Sequence, residues 1–237
     1  MKLPWEIIRE IALVSNKKTL GNFRNCCKRL KKDKELRQRF VKIINWKELS
    51  KREIIPEEFI REFADKVDWV RVSEYQKLSE DFIREFKNRV EWHAISRYQV
   101  LSENFIREFQ NRVKWDGISA GQKLSKDFLR EFRYKLYWAD ICYYQTLPLD
   151  IIREFQDVVY WPAVSEKQVL TEEFIREFAH KLDWKVISIY QKMSEDFIME
   201  FKDKVVWYLV RGYQVLSPEF RAKFEFFVRG KWTSWPR

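Results

Sequence analysis

The sequence predicts an all-α protein: a short basic helical module over residues 1–45, an α-solenoid of eight 23-residue two-helix repeats over 46–229, and a tail over 230–237. Three observations predict it. Trp46, Trp69, Trp92, Trp115, Trp138, Trp161, Trp184 and Trp207 each lie 23 residues from the next. Between them, apolar residues recur at helical spacing. The 237 residues include only 5 Gly and 6 Pro, too few for the tight turns of a sandwich or barrel.

Taken in chain order, residues 3–41 do not follow the repeat. Leu3-Pro4-Trp5-Glu6-Ile7-Ile8-Arg9-Glu10-Ile11 opens a helix, with Pro4 near its start and Ile7, Ile8 and Ile11 on one side. A basic helical stretch then runs through Phe40. Residues 1–45 hold 13 Lys/Arg against 4 Asp/Glu, whereas the other 192 residues hold 33 against 32. The net charge of +10 therefore belongs to the N-terminal module, and the repeats are close to neutral.

With Trp as position 1, the repeat reads W-x-x-[IV]-S-x-Y-Q-x-L-S-E-D-F-I-R-E-F-x-x-[KR]-V-x. Positions 1–8, as in Trp69–Gln76, predict a helix of about two turns. The second half predicts an amphipathic helix carrying Phe82, Phe86 and Val90 at i, i+4 and i+8, with Ile83 widening the stripe. Ser79 suits its N-cap, and Glu80 and Asp81 suit its first turn. Lys87 and Arg89 follow in the same predicted helix, where Glu85 and Arg89 form an i, i+4 pair. Pro56 and Pro148 stand at the cap position, while Pro162 and Pro218 fall in a first turn. Helices this short do not hold alone. Each repeat must bury its Trp, position-4 aliphatic, position-10 Leu and both Phe against its neighbours. The last repeat departs from the pattern at Arg211, Arg221 and Lys223, and the tail adds Trp232 and Trp235, as expected of a terminal cap.

No apolar run approaches 18 residues, so no membrane span is expected, and the N-terminus lacks a signal-peptide stretch. Three cysteines, two of them the neighbours Cys26 and Cys27, make a poor disulfide framework and favour a reducing compartment. His93 and His180 lie far apart and at no metal-ligand spacing from a cysteine. No metal or other cofactor is expected, and no nucleophile elbow or phosphate loop occurs.

Three recurring features invite a functional reading. The repeated Tyr-Gln (Tyr75-Gln76, Tyr98-Gln99, Tyr144-Gln145, Tyr190-Gln191, Tyr213-Gln214) fits either one residue per nucleic-acid base or a Gln ladder satisfying backbone groups at the corner between helices. Near-neutral repeats favour the ladder, because tracking phosphates requires cations. The Arg-Glu pairs, from Arg61-Glu62 to Arg176-Glu177, fit a solvated charge ladder better than acid–base catalysis, since no pair stands apart from the others. Positions 2, 3 and 6 vary between repeats and offer a candidate binding face: Arg71, Glu74, His93, Arg97, Asp116, Asp140, Tyr143, Lys185 and Ile189. Ordinary drift would produce the same variation.

The Leu-Pro-x-Glu-Ile-Ile opening, the spaced Leu20 and the Phe23-Arg24-Asn25-Cys26-Cys27-Lys28 segment resemble the F-box over about 40 residues. That resemblance implies docking on a Skp-type adaptor of a ubiquitin ligase through Leu3, Pro4, Ile7, Ile8 and Ile11, with the C-terminal repeats recruiting a target. The core Tyr-Gln-x-Leu-Ser-Glu-Asp-Phe-Ile-Arg-Glu-Phe over residues 46–229 is similar to repeats encoded by marseillevirus-like giant viruses, where they lie behind F-box-like N-termini. The implied setting is host cytoplasm or the virion. The expected function is a non-enzymatic scaffold, first an F-box-type adaptor with protein partners. The alternatives are a virion structural protein bound to other virion proteins and, more weakly, a nucleic-acid-binding repeat protein.

Overall fold

A computed structural model describes residues 44–51 and 55–222, together with 38, 41 and 42. The residues assigned to adaptor docking, Leu3, Pro4, Ile7, Ile8 and Ile11, lie outside these, as do Cys26, Cys27, Lys223 and the Trp232–Trp235 segment. The described residues are helical, with no strand among them. They fall into two compact units divided between Leu124 and Ser125, inside the fourth repeat.

In the first unit the short helices are α1 (Trp46–Lys51), α3 (Trp69–Tyr75), α5 (Trp92–Tyr98) and α7 (Trp115–Gly121). Between them lie α2 (Glu57–Glu62), α4 (Glu80–Glu85) and α6 (Glu103–Glu108). The second unit holds α8 (Lys126–Glu131), α9 (Trp138–Tyr144), α10 (Leu149–Glu154), α11 (Trp161–Lys167), α12 (Glu172–Glu177), α13 (Trp184–Tyr190), α14 (Glu195–Glu200) and α15 (Trp207–Tyr213). A further helical turn covers 218–222. Within each unit, successive short helices pack directly on one another in a solenoid-like stack.

The caps follow the sequence. Ser79, Ser102, Ser125, Thr171 and Ser194 each accept a hydrogen bond from the backbone N–H three residues on. Pro56 and Pro148 occupy that same position, and Pro162 sits in the first turn of α11. The second helix is shorter than its amphipathic pattern suggests. It ends at Glu85, with Phe86 as C-cap, and residues 86–89 form a turn. The N–H groups of Arg89 and Val90 both donate to the Phe86 carbonyl, so Phe82, Phe86 and Val90 keep i+4 spacing although the helix has stopped. Glu85 and Arg89 accordingly form no pair of their own. Glu85 accepts from Arg61 of the preceding repeat, and Arg89 reaches back to Asp65 and the Ala64 carbonyl.

The core consists of position 4 (Val72, Ile95, Ile118, Ile141, Val164, Ile187, Val210), position 10, and the Phe-Ile pair of the second helix. Phe82, Phe105, Phe128, Phe174 and Phe197 are fully buried. Each such ring contributes about 1.5–3 kcal/mol of transfer free energy. The repeat tryptophans are less buried than a core role implies, and of these eight only Trp138 falls among the buried residues. Trp69 instead covers Phe82 and Phe86 at centroid distances of 6.2 and 4.9 Å. Its indole N–H donates to the Ala64 carbonyl of the preceding turn at 2.9 Å, and that oxygen also accepts from Arg89. The indole thus fastens each turn to the next short helix while part of it still meets solvent.

Three sets of hydrogen bonds tie neighbouring repeats. Buried Gln99 accepts from Leu78 N–H and donates to the carbonyls of Ser73 and Gln76 one repeat back. Gln122 does the same in the first unit, and Gln168, Gln191 and Gln214 in the second. Ser73 donates to the Trp69 carbonyl and accepts from Glu91 N–H at the start of the next short helix. The carboxylates of Glu57, Glu80, Glu172 and Glu195 accept the amide of the following repeat's cap serine.

Along the outer edge, Arg61 meets Glu85 and Arg84 meets Glu108 in the first unit. Arg130, Arg153 and Arg176 meet Glu154, Glu177 and Glu200 in the second. These bonds measure 2.7–2.9 Å. The Arg61 guanidinium also lies 4.9 Å from the centre of the Phe82 ring, one face of which it covers.

Candidate interaction surface

Surface available to a partner is what remains after these ladders are made. Gln at position 8 and Ser at position 5 are consumed inside the stack, and the recurring Arg and Glu satisfy one another. Position 3 is also partly consumed. Ala94, Gly117 and Ala163 are buried between consecutive short helices. A Cβ on Gly117 would stand 3.0 Å from Ser96 Cβ, and one on Gly121 only 2.1 Å from the Arg97 carbonyl oxygen. The varying face therefore contracts to positions 2 and 6, an i, i+4 pair on one side of the short helix, with their neighbours.

In the first unit, His93 is exposed and lies 3.5 Å from Asp116 at the matching position of the next repeat. Arg71, half-buried, pairs with the cap residue Asp68 at 3.4 Å. Glu74 holds the phenol of Tyr75, raising its pKa through a hydrogen bond and the adjacent negative charge. Arg97 is half-buried one helical turn beyond His93. In the second unit, Asp140 lies in the first turn of α9, where the helix dipole favours an acid. Tyr143 packs edge-on against Tyr144 at 5.1 Å and receives Lys167 Nζ over its ring at 4.5 Å. Lys167 also pairs with Glu166 at 2.7 Å, and this contact raises its pKa. Lys185 is exposed, its N–H capped by Asp183, and Ile189 is half-buried. The candidate residues thus form no single convergent cluster. Within each unit they are strung along the short helices, repeat by repeat.

The second unit also contains a set of matched substitutions that periodicity does not reveal. Pro148 replaces the cap serine and has no N–H to offer, and the preceding Glu is replaced by Lys126, which pairs with Asp150 and lowers that carboxyl's pKa. Cys142 takes the serine slot of its repeat. Its thiol, pushed up to about 11 by burial, still receives a backbone hydrogen bond from Tyr160. Such exchanges become visible only once the partner across the repeat boundary is known.

The repeated Tyr-Gln divides between core and surface, with the glutamines forming the backbone-satisfying ladder. The glutamines turn inward, while Tyr75, Tyr98, Tyr144, Tyr190 and Tyr213 stay exposed at the C-terminal ends of the short helices. The sequence signal was the Tyr recurrence itself, but periodicity does not tell core from surface. Among the described residues no group of His, Cys, Asp and Glu is placed to hold a metal ion. No described helix is long and apolar enough to cross a membrane. Compared with models of known protein families, with curated proteins and with solved structures, the chain gives no match.

Proposed function

We propose that the protein is a non-enzymatic interaction scaffold of F-box-adaptor type, whose short-helix edge recruits a target protein while its N-terminal module docks on a Skp-type adaptor. One observation supports the recruiting half. Within each unit, the Gln, Ser and Phe that recur are spent on holding the stack together, while the varying positions and the tyrosines at the helix ends stay at the surface of the short helices. Repeat stacks present extended surfaces of this kind to partners. The docking half rests on Leu3, Pro4, Ile7, Ile8 and Ile11 and on the resemblance those residues carry. The setting in this reading is host cytoplasm or the virion.

The test is co-purification of the full chain with a eukaryotic Skp adaptor, read by light scattering on a sizing column. A one-to-one complex, lost in the Leu3→Ala/Pro4→Ala variant, is the expected result. Absence of a complex overturns the adaptor assignment and leaves a scaffold among virion proteins as the reading to pursue.

A further inference from the structure

The exposed aromatic residues are concentrated in the second unit, and their arrangement specifies a ligand. Position 7 ends four successive short helices there: Tyr144 on α9, Lys167 on α11, Tyr190 on α13 and Tyr213 on α15. The three tyrosines are 55%, 56% and 62% exposed. Val169 and Val215, two positions further on, are almost fully exposed. These side chains recur at one point of each repeat, and Gln168, Gln191 and Gln214 tie each short helix to the one before. Successive short helices are in direct contact, and packed helices generally lie about 8–10 Å apart, the pitch expected of a row with one member per helix.

That pitch discriminates between ligand conformations. A polyproline II segment advances about 9.3 Å per three-residue turn and returns the same side to the row each time. A β-strand returns the same side every two residues, about 6.6–6.8 Å, and falls out of step. An amphipathic helix requires a wide apolar trough, and here Glu166, Lys167 and Lys192 interrupt the row. A polyproline II chain also leaves its carbonyls without internal partners, and tyrosine hydroxyls can donate to them while the rings cover proline.

Charge selects the sign of the partner. The short-helix edges of this unit (138–146, 161–169, 184–192 and 207–215) carry Lys167, Lys185, Lys192 and Arg211 against Asp140 and Glu166. The second helices of the same unit carry 4 Lys/Arg against 10 Asp/Glu. An acidic ligand is drawn to the first edge and repelled by the other.

From this we infer that the Tyr144–Lys167–Tyr190–Tyr213 edge docks a proline-rich, acidic segment of a partner protein in the polyproline II conformation, with one proline per repeat. The inference rests on the scaffold reading and names the chemistry its target must present.

The test uses the full chain and two fluorescent peptides of identical composition, read by anisotropy. One has proline at every third residue with glutamates between; the other has prolines two apart. The expected result is binding of the first at least about tenfold tighter than the second. That preference should be lost in Tyr190→Ala/Tyr213→Ala, weakened in Lys192→Glu, and unchanged in Tyr134→Ala, which alters an exposed residue in a turn away from the row. Lys192→Glu alters an exposed side chain, so it keeps the test informative should the double variant unfold. Equal affinity for both peptides, no binding up to about 1 mM, or indifference to the tyrosine changes would overturn it. So would preferential, steeply salt-dependent binding of an oligothymidylate, which would assign the edge to nucleic acid. Adaptor co-purification depends on Leu3 and Pro4 and is blind to this row, so the two readings fail separately.

Discussion

Replacing Gln191 by Met tests the account of the stack most directly, because methionine keeps the volume and flexibility of glutamine but removes its polar atoms. The Gln191 carboxamide accepts from Leu170 N–H at 3.1 Å and donates to the Ser165 and Gln168 carbonyls at 3.0 and 2.8 Å. All of this is buried, with Gln191 5% exposed. Each bond contributes about 0.5–1.5 kcal/mol net, and a stranded buried partner costs about 1–3 kcal/mol. The Leu170 amide has one partner to lose, while the two carbonyls retain lone pairs for other donors. The loss should therefore total about 3–5 kcal/mol, a large part of the roughly 5–15 kcal/mol available to a domain. Urea unfolding of Gln191→Met gives the magnitude, and amide hydrogen exchange at Leu170 gives the location. A loss below about 1 kcal/mol with the Leu170 amide still protected would refute the ladder as the main tie between repeats.

Other outcomes follow from the same geometry. Gly121→Ala forces a methyl against the Arg97 carbonyl and should cost about 2–4 kcal/mol. Gly212→Ala meets nothing within 4 Å and should gain about 0.5–1 kcal/mol from helix propensity, both read by thermal denaturation. Cys142→Ser restores the hydroxyl that the other repeats use and should be neutral or stabilising by up to about 1 kcal/mol. Because the folded thiol is held up near 11 from an ordinary 9.0, the unfolded chain loses its proton first. Wild-type stability should fall between about pH 9 and 11, flattening above, and Cys142→Ser should remove that slope. Arg61→Ala loses a half-exposed ion pair with Glu85 and the cover over Phe82, and should cost about 0.5–1 kcal/mol, less at high salt. Urea titrations at low and high ionic strength would check it.

The outer charge ladder shows how far repeated sequence can be read. Arg-Glu pairs in strict register predicted a solvated edge, and the pairs lie there. Their partners, however, are 24 residues apart, Arg61 with Glu85, rather than neighbours in one helix. The second helix is shorter than its hydrophobic period because i+4 spacing continues through the turn after Phe86, where two N–H groups share one carbonyl. Hydrophobic period reports which side a residue faces, and a tight turn can preserve that side after helical hydrogen bonding has ended.

Sequence alone determined the repeat length, the helical class, the cap at Ser79 and its equivalents, and the buried identity of positions 4, 10 and 14. These depend on local backbone chemistry and on which residues avoid water. The inward Gln ladder was the reading the near-neutral repeats favoured, whereas only the tertiary structure decided that Tyr98 faces solvent beside it, that Trp69 clasps a turn carbonyl instead of filling the core, and that Pro148 goes with Lys126. The Lys126–Pro148 exchange, like the Gln ladder, depends on a partner about one repeat away, and the Trp69 clasp on a carbonyl across the repeat boundary. The energy of a buried hydrogen bond or a close charge is set by distances across that boundary, and a periodic sequence specifies only that the boundary recurs.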